Sequence, residues 1–377
     1  MEFRDLKKQY RILQTEIDAG MGRVLENTDF IQGKEVRELE TLLAGYVGVR
    51  HCITCANGTD ALQLALMAWK IGPGDVVFVP DFTFFSSGEV VPLTGAVPVF
   101  VDVEPDTYNI DVNCLKRAVS KVLEEGKLKP KVILAVNLFG QPARHDAIRE
   151  VAEQYGLLVL EDAAQGFGGA IGEKRACPFG DIGTTSFFPA KPLGCYGDGG
   201  AIFTDDDDWA ERLRSLRVHG KGTTKYDNIR IGMNSRLDTI QAAVLLAKFS
   251  AFAKVELEFT DAIAKRYTEK LQDIVGTPFI VEGYFSSWAQ YTIRLRNEGE
   301  RDGLQKYLKE RDIPSMVYYQ KPMHEQKAFC GMRYEDWEFT NSIALSRTVL
   351  SLPFHPYMDE EEVDNVITNI EKFMEQG

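Results

Sequence analysis

Short apolar runs alternate with amphipathic segments of helical period over the first two thirds of the chain. The runs VVFVP (76–80), VILAVNLFG (132–140) and LLVLED (157–162) have the length and apolar character of buried strands. Between them, CLKRAVSKVLEEG (114–126) and HDAIREVAEQYG (145–156) repeat apolar residues with the spacing of amphipathic helices. This alternation predicts βαβ units and a largely parallel sheet.

The pattern changes at about residue 250. A long helical pattern covers residues 239–271, and its length indicates either a spanning helix or a broken pair that links two domains. Beyond it, strand-like WAQYTIRL (288–295) is followed by helical patterns near the end of the chain. We therefore expect a large α/β domain over residues 1–250 and a smaller α+β domain over residues 251–377.

Composition fits a globular enzyme. The 377 residues are 44% hydrophobic, which is enough to bury a large core. No apolar run has membrane-spanning length and the opening MEFRDLKKQY has no apolar signal core, so we expect a cytoplasmic protein with no membrane partner. A formal net charge of −13 argues against nucleic acid as a partner, because such binding needs a basic surface. An anionic substrate must therefore meet local basic residues.

Cysteine spacing gives little support for a metal site. Cys52 and Cys55 are the closest pair among six cysteines, and neither a second pair of this kind nor a nearby histidine cluster completes a zinc site. We expect no metal. The residues around this pair are more typical of a buried strand, in which cysteine behaves as a small apolar residue.

Lys191 lies in SFFPAKPLGCYGDGG (186–200), where prolines flank it and four glycines follow within nine residues. Proline lacks an amide donor and glycine is unfavourable in a helix, so Lys191 is displayed on a tight turn. A lysine amine that is desolvated or lies near positive charge condenses with carbonyl groups. Most lysines are simply solvated surface charges, so this residue taken alone allows both interpretations.

Asp162 ends the apolar run of GLLVLEDAAQGFGG (156–169). Ligands in open α/β sheets bind just past the carboxyl ends of parallel strands, so Asp162 is placed to face a ligand. A pyridoxal phosphate site needs a lysine to hold the aldehyde and a carboxylate to keep the pyridine nitrogen protonated. Lys191 and Asp162 fit these two roles, although an isolated aspartate here is also typical of a turn or a helix cap.

A third motif is TCANGTDALQLALMAW (54–69), where a small polar turn opens an apolar helix. Asn57, Gly58 and Thr59 lie at the start of this helix. Backbone N–H groups there have no intrahelical partner and bind phosphate well. An ordinary capped helix would show the same residues, so this motif alone does not decide between the two.

Together and in this order, the three motifs resemble the DegT/DnrJ/EryC1/StrS family of pyridoxal-phosphate-dependent nucleotide-sugar aminotransferases of fold type I. The resemblance spans nearly the entire chain, from FRDLKKQY (3–10) to GMNSRLDTIQAA (232–243) and LPFHP (352–356). It implies a large domain with a mixed, mostly parallel sheet and a smaller C-terminal α+β domain. It also implies pyridoxal 5'-phosphate as the cofactor and a homodimer with shared active sites. FFPAKPLGCYGDGGAIFT (187–204) resembles a subgroup that aminates the C3 ketone of UDP-linked N-acetylated hexuronic acids.

The resemblance implies a set of cofactor contacts besides Lys191. Ser186 matches a phosphate-contacting hydroxyl, which would join the amides at Gly58 and Thr59. Gln165 matches a side chain that contacts the ring hydroxyl of the cofactor.

Aromatic and interface contacts complete this implied site. Phe84 matches the aromatic residue that stacks on the pyridine face, and Phe85 fits that place as well. Asn234 resembles a residue that family members donate across the dimer interface to the neighbouring subunit's phosphate. Such a contact requires a homodimer, and two-fold dimers are the commonest assembly.

On the substrate side, Arg236 is a candidate carboxylate clamp, because a planar guanidinium matches carboxylate geometry in a bidentate way. Its partner is either the amino-acid donor or a uronic acid. Tyr318, Tyr319 and His324 lie where the family places sugar-binding residues.

A basic loop, RVHGKGTTKYDNIRIG (217–232), offers further cations. It contains His219, Lys221, Lys225 and Arg230, which would either meet the diphosphate or belong to a mobile surface loop.

The resemblance therefore implies an aminotransferase that moves an amino group from an amino acid, glutamate, to the keto group of a nucleotide-linked sugar for cell-surface polysaccharide such as lipopolysaccharide. Lysine at position 191 argues against a dehydratase branch of the family that has histidine there. The alternatives are a dTDP-linked 3- or 4-keto deoxysugar as substrate, a decarboxylase or desulfurase of the same fold, and a regulator that binds the cofactor without catalysis. No helix-turn-helix pattern or basic stripe supports DNA contact by such a regulator.

Overall fold

The computed structural model describes residues 1–224, 226–331 and 337–376. Helices and strands alternate through the first two thirds of the chain, as the apolar pattern predicts. The helices are α1 (Leu6–Asn27), α2 (Lys34–Val47), α3 (Gly58–Ala68), α4 (Phe85–Leu93), α5 (Val112–Glu125), α6 (His145–Tyr155), α7 (Asp207–Leu216), α8 (Thr239–Ala251), α9 (Leu257–Leu271), α10 (Glu298–Lys309), α11 (Thr340–Thr348) and α12 (Glu360–Met374). The strands are β1 (His51–Cys55), β2 (Asp75–Pro80), β3 (Val97–Val101), β4 (Lys129–Val136), β5 (Leu158–Asp162), β6 (Ala170–Ile171), β7 (Lys174–Arg175), β8 (Ile182–Ser186), β9 (Gly200–Thr204), β10 (Tyr284–Phe285), β11 (Thr292–Arg294) and β12 (Val349–Ser351).

A seven-stranded sheet in the order β1-β9-β8-β5-β4-β2-β3 forms the centre of the molecule. Strands β3, β2, β4, β5 and β8 pair in parallel, whereas β9 runs antiparallel to both of its neighbours. The expected mixed, mostly parallel sheet is therefore confirmed. The carboxyl ends of β4, β5 and β8 meet at one edge of the sheet, where ligands bind in open α/β folds.

Helices cover both faces of this sheet because successive strand residues point to opposite sides. Val77 of β2 belongs to the apolar core that includes Leu64 of α3. The adjacent Phe78 belongs instead to the core that includes Leu115 of α5 and Ile148 of α6. Both faces of the sheet are thus buried, which explains why its strands are continuously apolar.

A second group of elements forms its own core near the end of the chain. Tyr267, Tyr291 and Leu350 are fully buried there, at the junction of α9 with β11 and β12. Helices α8 and α9 are joined through a π-helical segment, Phe252–Glu256, so the long helical pattern forms one continuous helix. The domain boundary at residue 250 falls inside this helix and stays a prediction. None of the helices in the described ranges is both long and apolar enough to cross a bilayer.

Candidate active site

Asp162 is the last residue of β5, at the sheet edge where ligands are expected. Its Oδ2 accepts a hydrogen bond of 2.9 Å from the Ser87 hydroxyl, and its Oδ1 accepts one of 3.0 Å from the amide of Ala164. Burial raises the pKa of Asp162, while these two bonds and the charge of Lys191 act in the opposite direction. The side chain is held in one orientation by donors that favour its anionic form.

Glu161 precedes Asp162 and serves a structural purpose on the other side of the strand. Its two carboxylate oxygens accept hydrogen bonds from the amides of Cys177 and Phe179, both at 2.8 Å, and Oε1 accepts a third from the Asn137 side chain at 2.8 Å. These bonds tie the segment after β5 to the sheet. The two adjacent carboxylates therefore have different environments, and only Asp162 faces the cavity described below.

Lys191 lies on a tight turn beyond β8, as its proline and glycine neighbours predict. Its amide donates a 2.8 Å hydrogen bond to the carbonyl of Phe188. Its carbonyl accepts a 2.9 Å hydrogen bond from the guanidinium of Arg4. Burial lowers the pKa of the Lys191 amine, the charge of Asp162 opposes this shift, and the charge of Arg4 reinforces it. Such an amine is more readily neutral, and therefore nucleophilic, than a solvated lysine.

The N-terminus of α3 faces the same region. Asn57 caps the helix, with its Oδ1 accepting a 2.8 Å hydrogen bond from the amide of Asp60. The amides of Gly58 and Thr59 come before the first intrahelical hydrogen bond, which joins Ala61 to Asn57. Amides in this position, together with the helix dipole, form an anion site.

Gly58 also allows a close approach between α3 and β8. A Cβ atom at this position would lie 2.7 Å from the Cβ of Ser186. Glycine is therefore required if the Ser186 hydroxyl is to lie beside the helix N-terminus. The Thr59 and Ser86 hydroxyls are hydrogen-bonded to each other at 2.8 Å next to this point.

These groups surround one cavity of about 460 Å³. It contains the strand-end carboxylate, the turn lysine and the helix N-terminus together. The residues expected from the sequence that line it are Gly58, Thr59, Phe84, Asp162, Gln165, Ser186, Lys191, Tyr318 and Tyr319.

Gln165 and Tyr319 form one wall of the cavity. The side-chain amide of Gln165 donates a 2.9 Å hydrogen bond to the Tyr319 hydroxyl, and its carbonyl oxygen accepts one of 2.7 Å from the amide of Phe139. Burial raises the pKa of Tyr319, so this phenol stays neutral. Both side chains are thus fixed before any ligand binds.

The two phenylalanines of the PDFTFFSS segment point in different directions. Phe84 lines the cavity, is 52% exposed, and has its ring centre 5.9 Å from the Lys191 Nζ. Phe85 packs against Phe329 with ring centres 5.4 Å apart and joins the core. An exposed aromatic ring beside the lysine is suited to stacking on a planar ligand, and this geometry favours Phe84 over Phe85.

The comparison with known proteins agrees with this geometry. The model of the DegT/DnrJ/EryC1/StrS aminotransferase family matches residues 11–371. The chain belongs to this family. The enzyme is a fold type I aminotransferase, its cofactor is pyridoxal 5'-phosphate, and the resemblance inferred from the sequence is confirmed.

Three relatives of this aminotransferase illustrate the similarity. UDP-2-acetamido-2-deoxy-3-oxo-D-glucuronate aminotransferase from Pseudomonas aeruginosa is 44% identical over 96% of this chain and 97% of its own. A crystal structure of a DegT DnrJ EryC1 StrS aminotransferase from Brucella abortus is 49% identical, with a TM-score of 0.97 over 99% of both chains. The structure of NtdA from Bacillus subtilis, solved with the bound cofactor PMP, is 29% identical, with a TM-score of 0.88 over 97% of this chain and 82% of its own.

The residues around the cavity fit pyridoxal phosphate. The donor set offers an amine, an anionic carboxylate and a helix N-terminus, which correspond to the aldehyde, the ring nitrogen and the phosphate of that molecule. Gly58 adds a second observation, because a Cβ atom there would close the space beside Ser186.

Asn234 and Arg236 lie away from this cavity in the aminotransferase chain. Asn234 is exposed in the segment that forms a single antiparallel bridge with Val218. Arg236 lines a separate open groove of about 890 Å³ together with His219, Lys221 and Arg230. Lys225, the remaining basic residue expected in this loop, is outside the described residues. The chain alone therefore does not bring these side chains to Lys191.

His324 also lies outside the lining of the cavity. Its Nδ1 is 2.6 Å from Oδ2 of Asp81, its amide donates a 2.9 Å hydrogen bond to Oδ1, and its ring stacks on Phe339 with centres 4.2 Å apart. These contacts fix the segment that leads from Tyr319 to the 3₁₀ turn Met323–Glu325. A sugar contact from His324 stays a prediction.

Some residues at the site were not expected from the sequence. Ser87 holds Asp162, and Asp198 and Gln290 line the cavity. A signal for Ser87 was present, because a serine shortly after a strand end is suited to cap or contact a neighbouring strand end. The position of Gln290 depends on the packing of the C-terminal part of the chain, which no local pattern encodes.

Proposed function

We propose that this aminotransferase transfers an amino group from glutamate to the C3 keto group of a UDP-linked N-acetylated hexuronic acid for cell-surface polysaccharide. The observation that carries the proposal is the meeting of Lys191 and Asp162 in one cavity beside the N-terminus of α3. Support for the substrate comes from the 44% identity with the Pseudomonas aeruginosa enzyme that is named for such a sugar.

In this proposal, each end of the cofactor has its own protein contact. Lys191 Nζ holds the aldehyde carbon, and the Asp162 carboxylate faces the ring nitrogen. The amides of Gly58 and Thr59 and the hydroxyl of Ser186 hold the phosphate at the end of the helix, where its charge is stabilised. When bound, pyridoxal phosphate supplies an electron sink for carbanion charge.

Lys191 and Asp162 then have distinct tasks. Lys191 Nζ takes the Cα proton of the amino acid in the first half-reaction and returns a proton to the sugar carbon in the second. The lowered pKa of this amine supports the first task, since a neutral amine is required to accept a proton. Asp162 stays anionic with the help of Ser87, and its charge keeps the ring nitrogen protonated.

Aromatic and amide side chains orient the reacting groups. Phe84 would cover one face of the ring, as its exposed position beside Lys191 supports. Gln165 would contact the ring hydroxyl, and its fixed hydrogen bond to Tyr319 supports this role. Tyr318 and Tyr319 form the wall on which we place the sugar.

A homodimer would complete the site. Asn234 and Arg236 are directed away from the cavity of their own chain, and we propose that they serve the partner's cavity at the phosphate and at a carboxylate, respectively. Exposed apolar side chains near these elements support a contact with a second copy, because large apolar patches mark interfaces. They are Phe188, Ile229 and Ile231.

The basic groove gives a reason for this arrangement. An anionic nucleotide sugar approaches a chain with a net charge of −13, so it needs a local positive surface. His219, Lys221, Arg230 and Arg236 provide one. We further propose a cytoplasmic location, which six unpaired cysteines support.

The test is a two-step assay with the purified enzyme. Glutamate should bleach the visible band of the lysine-bound cofactor, and a UDP-linked 3-keto hexuronic acid should restore it. Parallel additions of UDP- and dTDP-linked 3-keto and 4-keto sugars identify the nucleotide and the ketone. Recovery only with a dTDP-linked deoxysugar would overturn the substrate assignment. No bleaching by any amino donor would contradict the proposed reaction and favour a regulatory protein.

A further inference from the structure

Arg4 contacts the lysine turn from the side opposite the cavity. It lies in the segment before α1, 187 residues away from Lys191 along the chain, and its Nη2 donates a 2.9 Å hydrogen bond to the Lys191 carbonyl. The same segment is anchored at Phe3, whose carbonyl accepts a 3.1 Å hydrogen bond from the amide of Phe354. The Phe3 ring packs edge-on against Tyr318, with centres 6.3 Å apart. The N-terminal segment thus contacts both the lysine turn and a wall of the cavity.

A second cation binds the same turn. The Lys248 ammonium is 2% exposed, donates to the carbonyl of Gly194 and lies 5.2 Å from the centre of the Tyr196 ring. Two carbonyls of the turn, those of Lys191 and Gly194, are therefore each held by a positively charged side chain. Charge-assisted hydrogen bonds of this kind are stronger than neutral ones.

Glu256 is the carboxylate that balances these cations. It is 5% exposed and accepts hydrogen bonds from the Tyr357 hydroxyl and, at 3.0 Å, from the Gln9 side chain. Its charge favours the protonated forms of both Arg4 and Lys248. Glu256 lies in the π-helical segment between α8 and α9, so the geometry of this segment fixes the cations beneath the turn.

The charge of Arg4 acts on the amine as well as on the main chain. The charged and titratable groups that face the Lys191 side are Asp162, Asp198 and Tyr319 around the cavity and Arg4 behind the turn. Asp162 favours the ammonium form of Lys191, whereas Arg4 disfavours it. Arg4 therefore opposes the nearby carboxylate.

We propose that Arg4 is a positioning residue for Lys191, which fixes the main chain of the lysine turn and places a permanent positive charge behind it. This inference rests on the proposed attachment of the cofactor to Lys191. Because the guanidinium stays charged at all working pH values, the charge is constant while Lys191 changes its protonation state.

The test is the pH titration of the visible absorption of the cofactor-loaded enzyme. Arg4→Gln keeps an N–H donor for the carbonyl and removes the charge, so the titration midpoint should rise by roughly half to one pH unit. Arg4→Lys keeps the charge and should retain the parental midpoint. Lys7→Gln, a substitution of an exposed cation on α1, serves as the control and should not change it.

A second variant gives a shift of opposite sign if Arg4→Gln does not fold. Glu256→Gln keeps an acceptor for Gln9 and removes the charge that neutralises Arg4, so the midpoint should fall. Parental midpoints in the folded variants would overturn the inference about Arg4 while leaving the proposed function intact. A parent enzyme with no lysine-bound visible band would instead contradict the proposed function.

Discussion

The Ser87 hydroxyl donates a 2.9 Å hydrogen bond to Oδ2 of Asp162, and both side chains are buried. This bond connects the first turn of α4 with the carboxyl end of β5. It favours the anionic form of a carboxylate whose pKa burial raises. The proposed anion that faces the cofactor ring is therefore maintained by a neighbour that has no contact role of its own in the proposal.

Ser87→Ala should weaken cofactor binding and shift the acid limb of activity. A hydrogen bond to a charged group contributes about 1.5–3 kcal/mol, so the dissociation constant of pyridoxal phosphate should rise roughly tenfold or more. The pKa of Asp162 should rise further, so the half-reaction with glutamate should lose rate at a higher pH than in the parent. Ser250→Ala, at an exposed position on α8, is the control. An unchanged pH profile in Ser87→Ala would contradict this account.

Gly58→Ala should destabilise the fold, because the added Cβ would lie 2.7 Å from the Cβ of Ser186. Overpacking of this kind costs about 1–3 kcal/mol, measured as the free energy of unfolding in urea. Gly45→Ala is the matched control: no atom lies within 4 Å of its added Cβ, and it should be neutral or stabilising. Adding Ser186→Gly to Gly58→Ala should restore stability. A destabilised double variant would show that the Ser186 contact is not the cause.

The central chemistry was predictable from local patterns, and its surroundings were not. Proline and glycine predict the turn at Lys191, and a buried run predicts the strand that ends at Asp162, because these signals act over a few residues. The contact of Arg4 with Lys191 joins residues 187 positions apart, and only the tertiary fold determines it. His324 illustrates the same limit, since its partner Asp81 is fixed by packing.

Strand β8 shows where the apolar pattern fails. Its sequence, IGTTS, is polar, yet four of its five residues are buried. The Thr184 and Thr185 hydroxyls donate hydrogen bonds to the carbonyls of Glu161 and Ala163, at 3.0 and 3.1 Å. Buried hydroxyls that find such partners are compatible with a sheet interior, but the partners are visible only in three dimensions.

Acid should destabilise the protein through His145. Burial lowers its pKa to about 3 from an ordinary value of 6.5, so the folded state binds fewer protons than the unfolded state between these values. Stability contributed by this residue is complete above pH 6.5 and is lost as the pH falls, by about 1.4 kcal/mol per pH unit. His145→Gln should reduce the slope of the urea unfolding free energy between pH 6.5 and 5 by that amount.

The same series contains its own control. At pH 8 neither protein binds a proton at position 145, so the difference measured there reports the lost 2.8 Å contact with Asn137 alone. Parallel curves for parent and variant from pH 8 to pH 5 would show that His145 does not carry this pH dependence.

Mixed dimers test the proposed sharing of active sites. Lys191→Ala and Asn234→Ala should each be inactive alone. Random mixing makes half of the dimers hybrid, and each hybrid would regain one site that has both Lys191 and Asn234, so activity should recover to about a quarter of the parental value. The mixture should be compared with each variant alone at the same total concentration. No recovery in a mixture shown to contain hybrids would place both residues in one chain's site.

The most direct test of the account is to map the lysine that binds the cofactor. Two lysines are candidates, because burial lowers the pKa of Lys191 and also that of Lys248, the latter to about 8. Borohydride reduction of the loaded enzyme, followed by peptide mass spectrometry, fixes the cofactor covalently on its lysine. We expect the added mass on the peptide that contains Lys191, which lines the cavity with Asp162. Attachment at Lys248 or at any other lysine would contradict the proposed active site.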